Sequence, residues 1–466
     1  MNKSLLETGK SLLIVLLACS ALYLTARTQL GRGLLSHQSQ STSWQKETSI
    51  GPQAELARPA RMAATLSVGD EIARYGVQYD PAACDNLFQL TARPLMEALS
   101  CAQTPQPIAR TGWETALNAA PGIYFDLQGE VPLQVLSAWL GAEGCALEGT
   151  VRRLVLSASG DGVELYYQEA GTYYVCAAPM VTQSQLEEAL SGLTGNQAQF
   201  AFEEDSYAAL DPDTLILPQT PSLPACTALN PLENQGEGSA LLNSQLSALT
   251  FSPDTNHIYT TSGTQAIRSG NDTLRLDQNG TMTYHALAGE SSRYRLSGRL
   301  AEQVEECRAL AQDTVGALCG DVRLYLQSIR QTDQGTAVEF GYLLHGAQVQ
   351  LGSESYAAQF VIEGDQLTQF TLHYRTYQSL PEQALVLPEV QAAAALQALG
   401  RSGQELCLVY FDSGSERLSP AWYTEGGGAR IGGVVQDQNH RHLDAGHHQS
   451  VSAGPGGPGG GKSPAA

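Results

Sequence analysis

Apolar positions along the chain fall into helical and alternating stretches by turns. In DNLFQLTARPLMEALSCA (Asp85 to Ala102), Leu87, Leu90, Leu95 and Leu99 recur at helical spacing, with Pro94 expected to kink the helix. VPLQVLSAWLG (Val131 to Gly141) predicts a second, shorter helix. The next stretch, VRRLVLSASGDGVELYYQEAGTYYVCAAP, predicts three strands near 153–158, 162–168 and 172–177, because Ser-Gly-Asp-Gly and Glu-Ala-Gly steps break its β-rich runs. SQLEEALSGL predicts a helix with Ser184 as cap and Glu187 three residues on. After a helix expected over 239–250, HIYTTSGTQAIRSGNDTLRLDQNGTMTYHA carries repeated hairpin turns. A helix over 299–318 then leads to five strands, DVRLYLQSIR, AVEFGYLLH, QVQLG, YAAQFVIEG and QLTQFTLHYRTY. One helix lying across an antiparallel meander is the simplest way to bury their one-sided apolar faces.

Between these patterned stretches lie others without period. Gln38 to Ala57 is polar and reads as a stalk, and LDPDTLILPQTPSLPACTALNP reads as a boundary, since successive prolines deny both helix and central ladders. Beyond Trp422 the chain runs into GGGARIGGVV, NHRHLDAGHH and GPGGPGGGKSPAA, whose composition predicts disorder; a frameshifted or misread terminus would give such a change, and would leave 388–425 without a closing strand.

One stretch suits a bilayer. Sixteen uncharged residues separate Lys10 from Arg27, and as a helix they rise roughly 24 Å against a hydrocarbon core of roughly 30 Å. Lys10 and Arg27 can snorkel, and Tyr23 suits the interface. A spanning helix is the first reading. Two alternatives stay open: a cleaved secretory signal, for which Leu24-Thr25-Ala26 is a poor site, and a lipoprotein signal at Leu16-Leu17-Ala18-Cys19, which lacks the usual polar tether. Small residues that would let a partner helix approach are Ala18, Ser20, Ala21, Thr25 and Ala26.

Charge narrows the partners. A formal net charge of −21 over 466 residues argues against nucleic acid and anionic lipid surfaces. Lysine occurs only at 3, 10, 46 and 462, so the body relies on arginine. Beyond Cys19 there are eight cysteines, an even number that permits disulfides, but no CxxC or Cys/His ligand spacing singles out a pairing; buried thiols are the simpler reading.

A search for chemistry returns mainly absences. There is no HExxH, GxSxG, phosphate loop or dinucleotide fingerprint, so neither catalysis nor a cofactor is expected. His440, His442, His447 and His448 could chelate nonspecifically, His345 and His373 sit in strand patterns, and Glu203-Glu204-Asp205 reads as a solvated face, so no metal site is expected. The aromatics of YFDL and LYYQEAGTYYVC read as packing.

With these residues in hand, the chain resembles the YycH-type proteins, accessory proteins of the WalK/YycG sensor kinase in low-GC Gram-positive bacteria. LLETGKSLLIVLLACSALYLTAR looks like their short cytoplasmic start and single helix, and PGIYFDLQGEVPLQVLSAWLG, FAFEEDSYAALDPDTLI and FSPDTNHIYTTSGTQAIRSGNDTLRLDQNGTMTYHA look like their clostridial branch. The match covers most of 1–425 as loose patterns. It implies an amino terminus inside, the bulk outside, and a noncatalytic regulator of a sensor histidine kinase controlling cell-wall metabolism, with a YycI-like protein as a second partner.

The expected fold class is thus α+β: a single amino-terminal transmembrane helix followed by extracytoplasmic, PepSY-like domains of helices on antiparallel meander sheets. The expected divisions are a cytoplasmic start at 1–10, an anchor at 11–27, a stalk at 28–57, a domain at 58–211, a proline-rich linker at 212–235, a middle unit at 236–298, a last unit at 299–425 and a tail at 426–466. The alternative function is an extracytoplasmic inhibitor or peptide-binding protein, using the exposed face of the 321–377 sheet.

Overall fold

Gly69, at φ 63°, turns the chain between Arg61–Val68 (β1) and Glu71–Gln78 (β2), which pair antiparallel. The computed structural model describes residues 51–424 and 430–431, except 70, 236–238, 252–256, 262, 270–271, 287–291, 297, 353–354 and 401. All of them belong to one compact unit, Ile50–Ala466.

Helix α1 (Pro81–Cys101) follows, its Asp80 cap accepting the Ala83 N–H at 3.0 Å and its Pro94 lying within the helix. After β3 (Gln106–Ile108), α2 (Arg110–Asn118), β4 (Gly122–Pro132) and α3 (Leu133–Leu140), the chain makes β5 (Thr150–Ser159), β6 (Gly162–Glu169) and β7 (Thr172–Ala177). α3 stops at Gly141 (φ 75°). α4 (Gln183–Leu190) starts two residues earlier than expected, because Thr182 rather than Ser184 caps it, with Gln185 completing the capping box. The resulting seven-stranded sheet runs β2-β1-β4-β5-β6-β7-β3. Successive residues of β4 enter different cores: Ile123 and Phe125 join the α1 side, while Tyr124 joins Trp113, Val155 and Phe200 on the α2 side. A sheet covered on both faces has no polar face to alternate with.

The second half is larger. After β8 (Gln199–Phe200) and β9 (Leu215–Ile216) pair with each other, β10 (Pro224–Leu229) runs between two later strands, with Pro224 at its first position where no ladder N–H is missed. Thus part of the proline-spaced 212–235 stretch is buried strand. Helix α5 (Ala240–Ala248), capped by Ser239, precedes β11 (His257–Thr261), β12 (Thr264–Ser269), β13 (Asp272–Leu276), β14 (Thr281–His285) and β15 (Tyr294–Arg295). α6 (Leu300–Asp313) then leads through a 3-10 turn at Val315–Leu318 to β16 (Val322–Thr332), β17 (Gly335–Leu344), β18 (Ala347–Leu351), β19 (Ala358–Glu363), β20 (Gln366–His373) and β21 (Thr376–Gln383). α7 (Glu389–Ala398), β22 (Leu406–Asp412), β23 (Arg417–Leu418), β24 (Pro420–Thr424) and β25 (Arg430–Ile431) close the described chain.

Most of these strands form one thirteen-stranded sheet, and β21-β10-β23 form a small third one. The sheet is not the simple meander expected. β19 and β18 pair with successive halves of β17 along the same edge while β16 takes the other, and β18 pairs parallel with β22 after a crossover through α7.

The expected fold class is therefore corrected. Strand outweighs helix, 43% to 26% of the described residues, with seven α-helices among them. None of those helices is long and apolar enough to cross a membrane. The physical reason is that β1, β4, β22 and β24 are largely buried, so they lack the alternation that announces a strand. The Lys10–Arg27 stretch, with Ala18, Ser20, Ala21, Thr25 and Ala26, lies outside the described residues, as does the 432–466 tail with its four histidines.

Candidate functional site: the joint between the sheets and the helix beside it

Three neighbouring strands of the seven-stranded sheet align charged residues in one row. Arg61 on β1 stands opposite Asp126 on β4, which stands opposite Arg153 on β5. Cross-strand neighbours share a face. Just beyond Asp126, β4 bulges: the β4–β5 register shifts before Val131, Gln128 adopts φ 68°, and the Gln128 N–H donates to Asp126 Oδ1 at 2.8 Å. This bulge carries β4 onto β16 of the large sheet.

Glu405, leading into β22, reaches across to the row. Its carboxylate accepts from Arg61, from Arg152 Nη2 at 2.7 Å and from Arg153 Nη2 at 2.8 Å. Asp126 accepts from Arg61 Nη1 at 3.3 Å and Arg152 Nε at 3.1 Å. Arg153 continues to Asp211 and Asp213, and Arg110 Nη2 meets Asp213 Oδ1 at 2.8 Å. Arg61, Arg152, Arg153 and Arg110 thus face Asp126, Glu405, Asp211 and Asp213, with Glu114 also paired to Arg110 at 2.9 Å. Burial alone would lower the Arg61 and Arg153 pKa values, but neighbouring phenols and carboxylates more than restore them and both end raised. Burial alone would raise Asp126, but Arg152 and Arg61 hold it below its ordinary value. Asp213 goes the other way, raised because burial outweighs Arg153 and Arg110.

Beside this network Tyr79, held at φ 58°, accepts the Leu408 N–H at 3.0 Å through its hydroxyl. Its ring meets Trp422 edge-on at 6.2 Å, and the Arg61 guanidinium lies 5.7 Å from its centroid. Glu389, the first residue of α7, points back into the same joint. Its Oε2 accepts from Gln78 Nε2 on β2 and from the Leu217 N–H, each at 3.1 Å. Burial pushes the Glu389 carboxyl up to about 7 despite those donors and Arg61.

The ions of the joint pair with one another, although Arg61 Nε and Arg153 Nε are buried without a hydrogen-bond partner. A cleft of about 590 Å³ opens beside Arg152, Arg153 and Glu405, a second of about 750 Å³ lies by Arg375 and Asp412, and a third of about 760 Å³ lies between α3 and α6. Asp412 already accepts both Arg375 nitrogens, at 2.7 and 2.9 Å, and the Tyr377 hydroxyl at 2.9 Å. Among the described residues no group of three or more His, Cys, Asp or Glu is placed to hold a metal ion.

The residues singled out in the sequence find local partners. His345 lies in the turn after β17, with its Nε2 2.7 Å from Ser379 Oγ, and burial lowers its pKa. His373 Nδ1 lies 3.1 Å from Thr281 Oγ1 on the neighbouring strand. Glu203 accepts from Arg74 at 2.6 Å and from the Phe200 N–H, while Glu204 accepts from Ser206. Tyr167 stacks on Tyr174 across β6 and β7. No disulfide joins the eight cysteines of the described residues, six of which are buried. On the sheet face considered for peptide capture, Ser328, Arg330 and Gln359 all donate to Glu339.

The surface of α7 differs from the rest of this acidic chain. From Ala384 to Gly400 the only charged residue is Glu389, 2% exposed. Ala392, Ala393 and Leu396 face inward, whereas Val390, Ala394 and Ala398 recur at four-residue steps on the outside. Leu385 just before the helix is 85% exposed, Val390 48% and Leu399 61%. Gln391 and Gln397 are exposed there too, so the outer side is uncharged and largely apolar rather than wholly so, a face suited to lying against a partner. Neither the joint nor this face was found by motif reading; the signal available was a single charge inside an apolar run, as in IYFDLQG or LPEVQAAAALQALG.

No protein-family model matches the chain, and neither does a curated protein or a solved structure.

Proposed function

We propose that the chain is a noncatalytic, membrane-held extracytoplasmic regulator that acts by contact on a sensor histidine kinase of the WalK/YycG type, in the control of cell-wall metabolism. The observation that carries the reading is the uncharged face of α7 with Leu385 and Leu387. On a chain of net charge −21, this is where an apolar, uncharged segment of the kinase's exterior domain can dock without desolvating a charge or meeting repulsion. The self-paired ions of the joint support it too, since they hold the two sheets as one body and offer no reacting group. The sequence resemblance supplies the partner class. In that reading the 11–27 segment keeps the body at the membrane, with the amino terminus inside and a YycI-like protein as second partner.

Affinity purification of the full-length protein from its own membranes tests this. Recovery of a histidine kinase is expected. Recovery of a cell-wall hydrolase or peptide with no kinase would overturn the reading in favour of an inhibitor.

A further inference from the structure

We propose that Glu389 is a proton-responsive anchor that sets how firmly α7, and with it the docking face, is held to the rest of the molecule. The proposal concerns the regulation of the surface just described and rests on that reading for its biological meaning, though not for its measurement.

The geometry gives one carboxyl unusual influence over one helix. α7 buries only Ala392, Ala393 and Leu396 along its length besides Glu389 itself, so its apolar grip is small, since two alanines and one leucine remove little apolar area from water. What fixes its start is polar: the Trp422 Nε1–H donates to the Leu387 carbonyl at 2.9 Å, and Glu389 takes its two hydrogen bonds from Gln78 and Leu217. Those donors belong to β2 and to the segment after β9, so the Glu389 side chain ties α7 to the seven-stranded half.

The charged and titratable groups facing this carboxyl are few. Arg61 on β1 favours its ionised form, and Tyr79 and Tyr207 lie within electrostatic reach as neutral phenols, both raised chiefly by burial. β25, which also packs on α7, brings Arg430 in sequence. The helix start adds a favourable dipole for an anion. Burial still wins, and the carboxyl titrates near neutrality.

Gln78 fits both protonation states. Its amide donates through Nε2 to the carboxylate, and turned over it presents Oε1 to the acid O–H. The states differ in cost: ionisation leaves a buried charge with two hydrogen bonds and, among the described residues, no ion pair. Since the folded carboxyl is raised from 4.5 to about 7, the folded form binds the proton more tightly than the opened one. The anchor is therefore fully engaged below the opened-state value and weakens as pH rises through the folded one. Two and a half pH units of difference correspond to a change on the order of a hundred-fold in the closed-to-open ratio.

Hydrogen–deuterium exchange of the full-length protein, corrected for intrinsic rates, reads this without any partner. Between about pH 5 and about pH 8, α7 is expected to lose protection by on the order of a hundred-fold, while α1 changes far less. Glu389→Gln, neutral throughout, should abolish the pH dependence of α7 and leave it protected. Infrared spectra of protein carrying isotope-labelled glutamate supply a second readout that needs no variant: one carboxylic acid band should persist to near neutrality. A wild-type α7 whose protection ignores pH, the same pH dependence in Glu389→Gln, or no such band would each overturn the proposal. Loss of kinase binding elsewhere leaves these outcomes untouched, so the two readings fail separately.

Discussion

Gly129, in the bulge of β4, lies against the backbone of Leu326 in β16, so that a Cβ at position 129 would run into the Leu326 carbonyl oxygen and come within 2.9 Å of Gln327 Cα. The two large sheets thus meet main chain to main chain at this point. Only glycine permits that approach.

Gly129→Ala is accordingly expected to force the strands apart. The loss should be about 1–3 kcal/mol of stability, read as a lower thermal midpoint. An alanine variant as stable as the wild type would show that the bulge yields without cost.

The ionic joint gives a sharper contrast. Glu405→Ala removes the carboxylate shared by Arg61, Arg152 and Arg153 and leaves buried guanidinium groups short of counter-charge, so a cost of about 3–5 kcal/mol is expected. Arg417→Ala breaks an exposed pair with Glu382 and should cost less than about 1 kcal/mol. Denaturant unfolding of both variants checks the ratio; equal losses would contradict a structural role for the joint.

Stability should pass through a maximum on the mildly acid side. Asp126 is held below its ordinary value by Arg152 and Arg61 against burial, so its contribution is present above the unfolded carboxyl value and is lost as pH falls through the folded one. Glu389 acts with the opposite sign, its contribution fading between 4.5 and about 7 as pH rises. Glu389→Gln should flatten the alkaline limb and spare the acid one, as measured by thermal unfolding across pH.

How much of this was legible in the sequence depended on how local the signal was. The 3.6-residue spacing of Leu87, Leu95 and Leu99 marks α1, and the Ser-Gly-Asp-Gly and Glu-Ala-Gly turns bound β5, β6 and β7, because those features are decided within a few residues. β1 shows no alternation, since Ala63 and Ala64 enter different cores. The partners Arg61 and Glu405 are 344 residues apart, a separation that no periodicity encodes. Glu389 is marked only by being the single charge in an apolar run.

The proposed membrane placement predicts a labelling pattern. Ser222 is exposed, so Ser222→Cys should react with a membrane-impermeant maleimide on intact wall-stripped cells, whereas Ser4→Cys should react only after lysis. Labelling at Ser4 alone would reverse the topology.

If the uncharged α7 face is the contact surface, a surface variant of that face should lose the kinase. Leu385→Asp combined with Val390→Asp places charges on exposed positions of that face without touching Glu389 or the joint, so folding should be preserved, as judged by an unchanged thermal midpoint. Copurification of the histidine kinase from native membranes, quantified against the wild type, should fall at least about ten-fold, which corresponds to about 1.4 kcal/mol of lost contact. Undiminished recovery of the kinase by the folded double variant would contradict the claim, and loss of self-association alone would assign the face to a second copy of this chain instead.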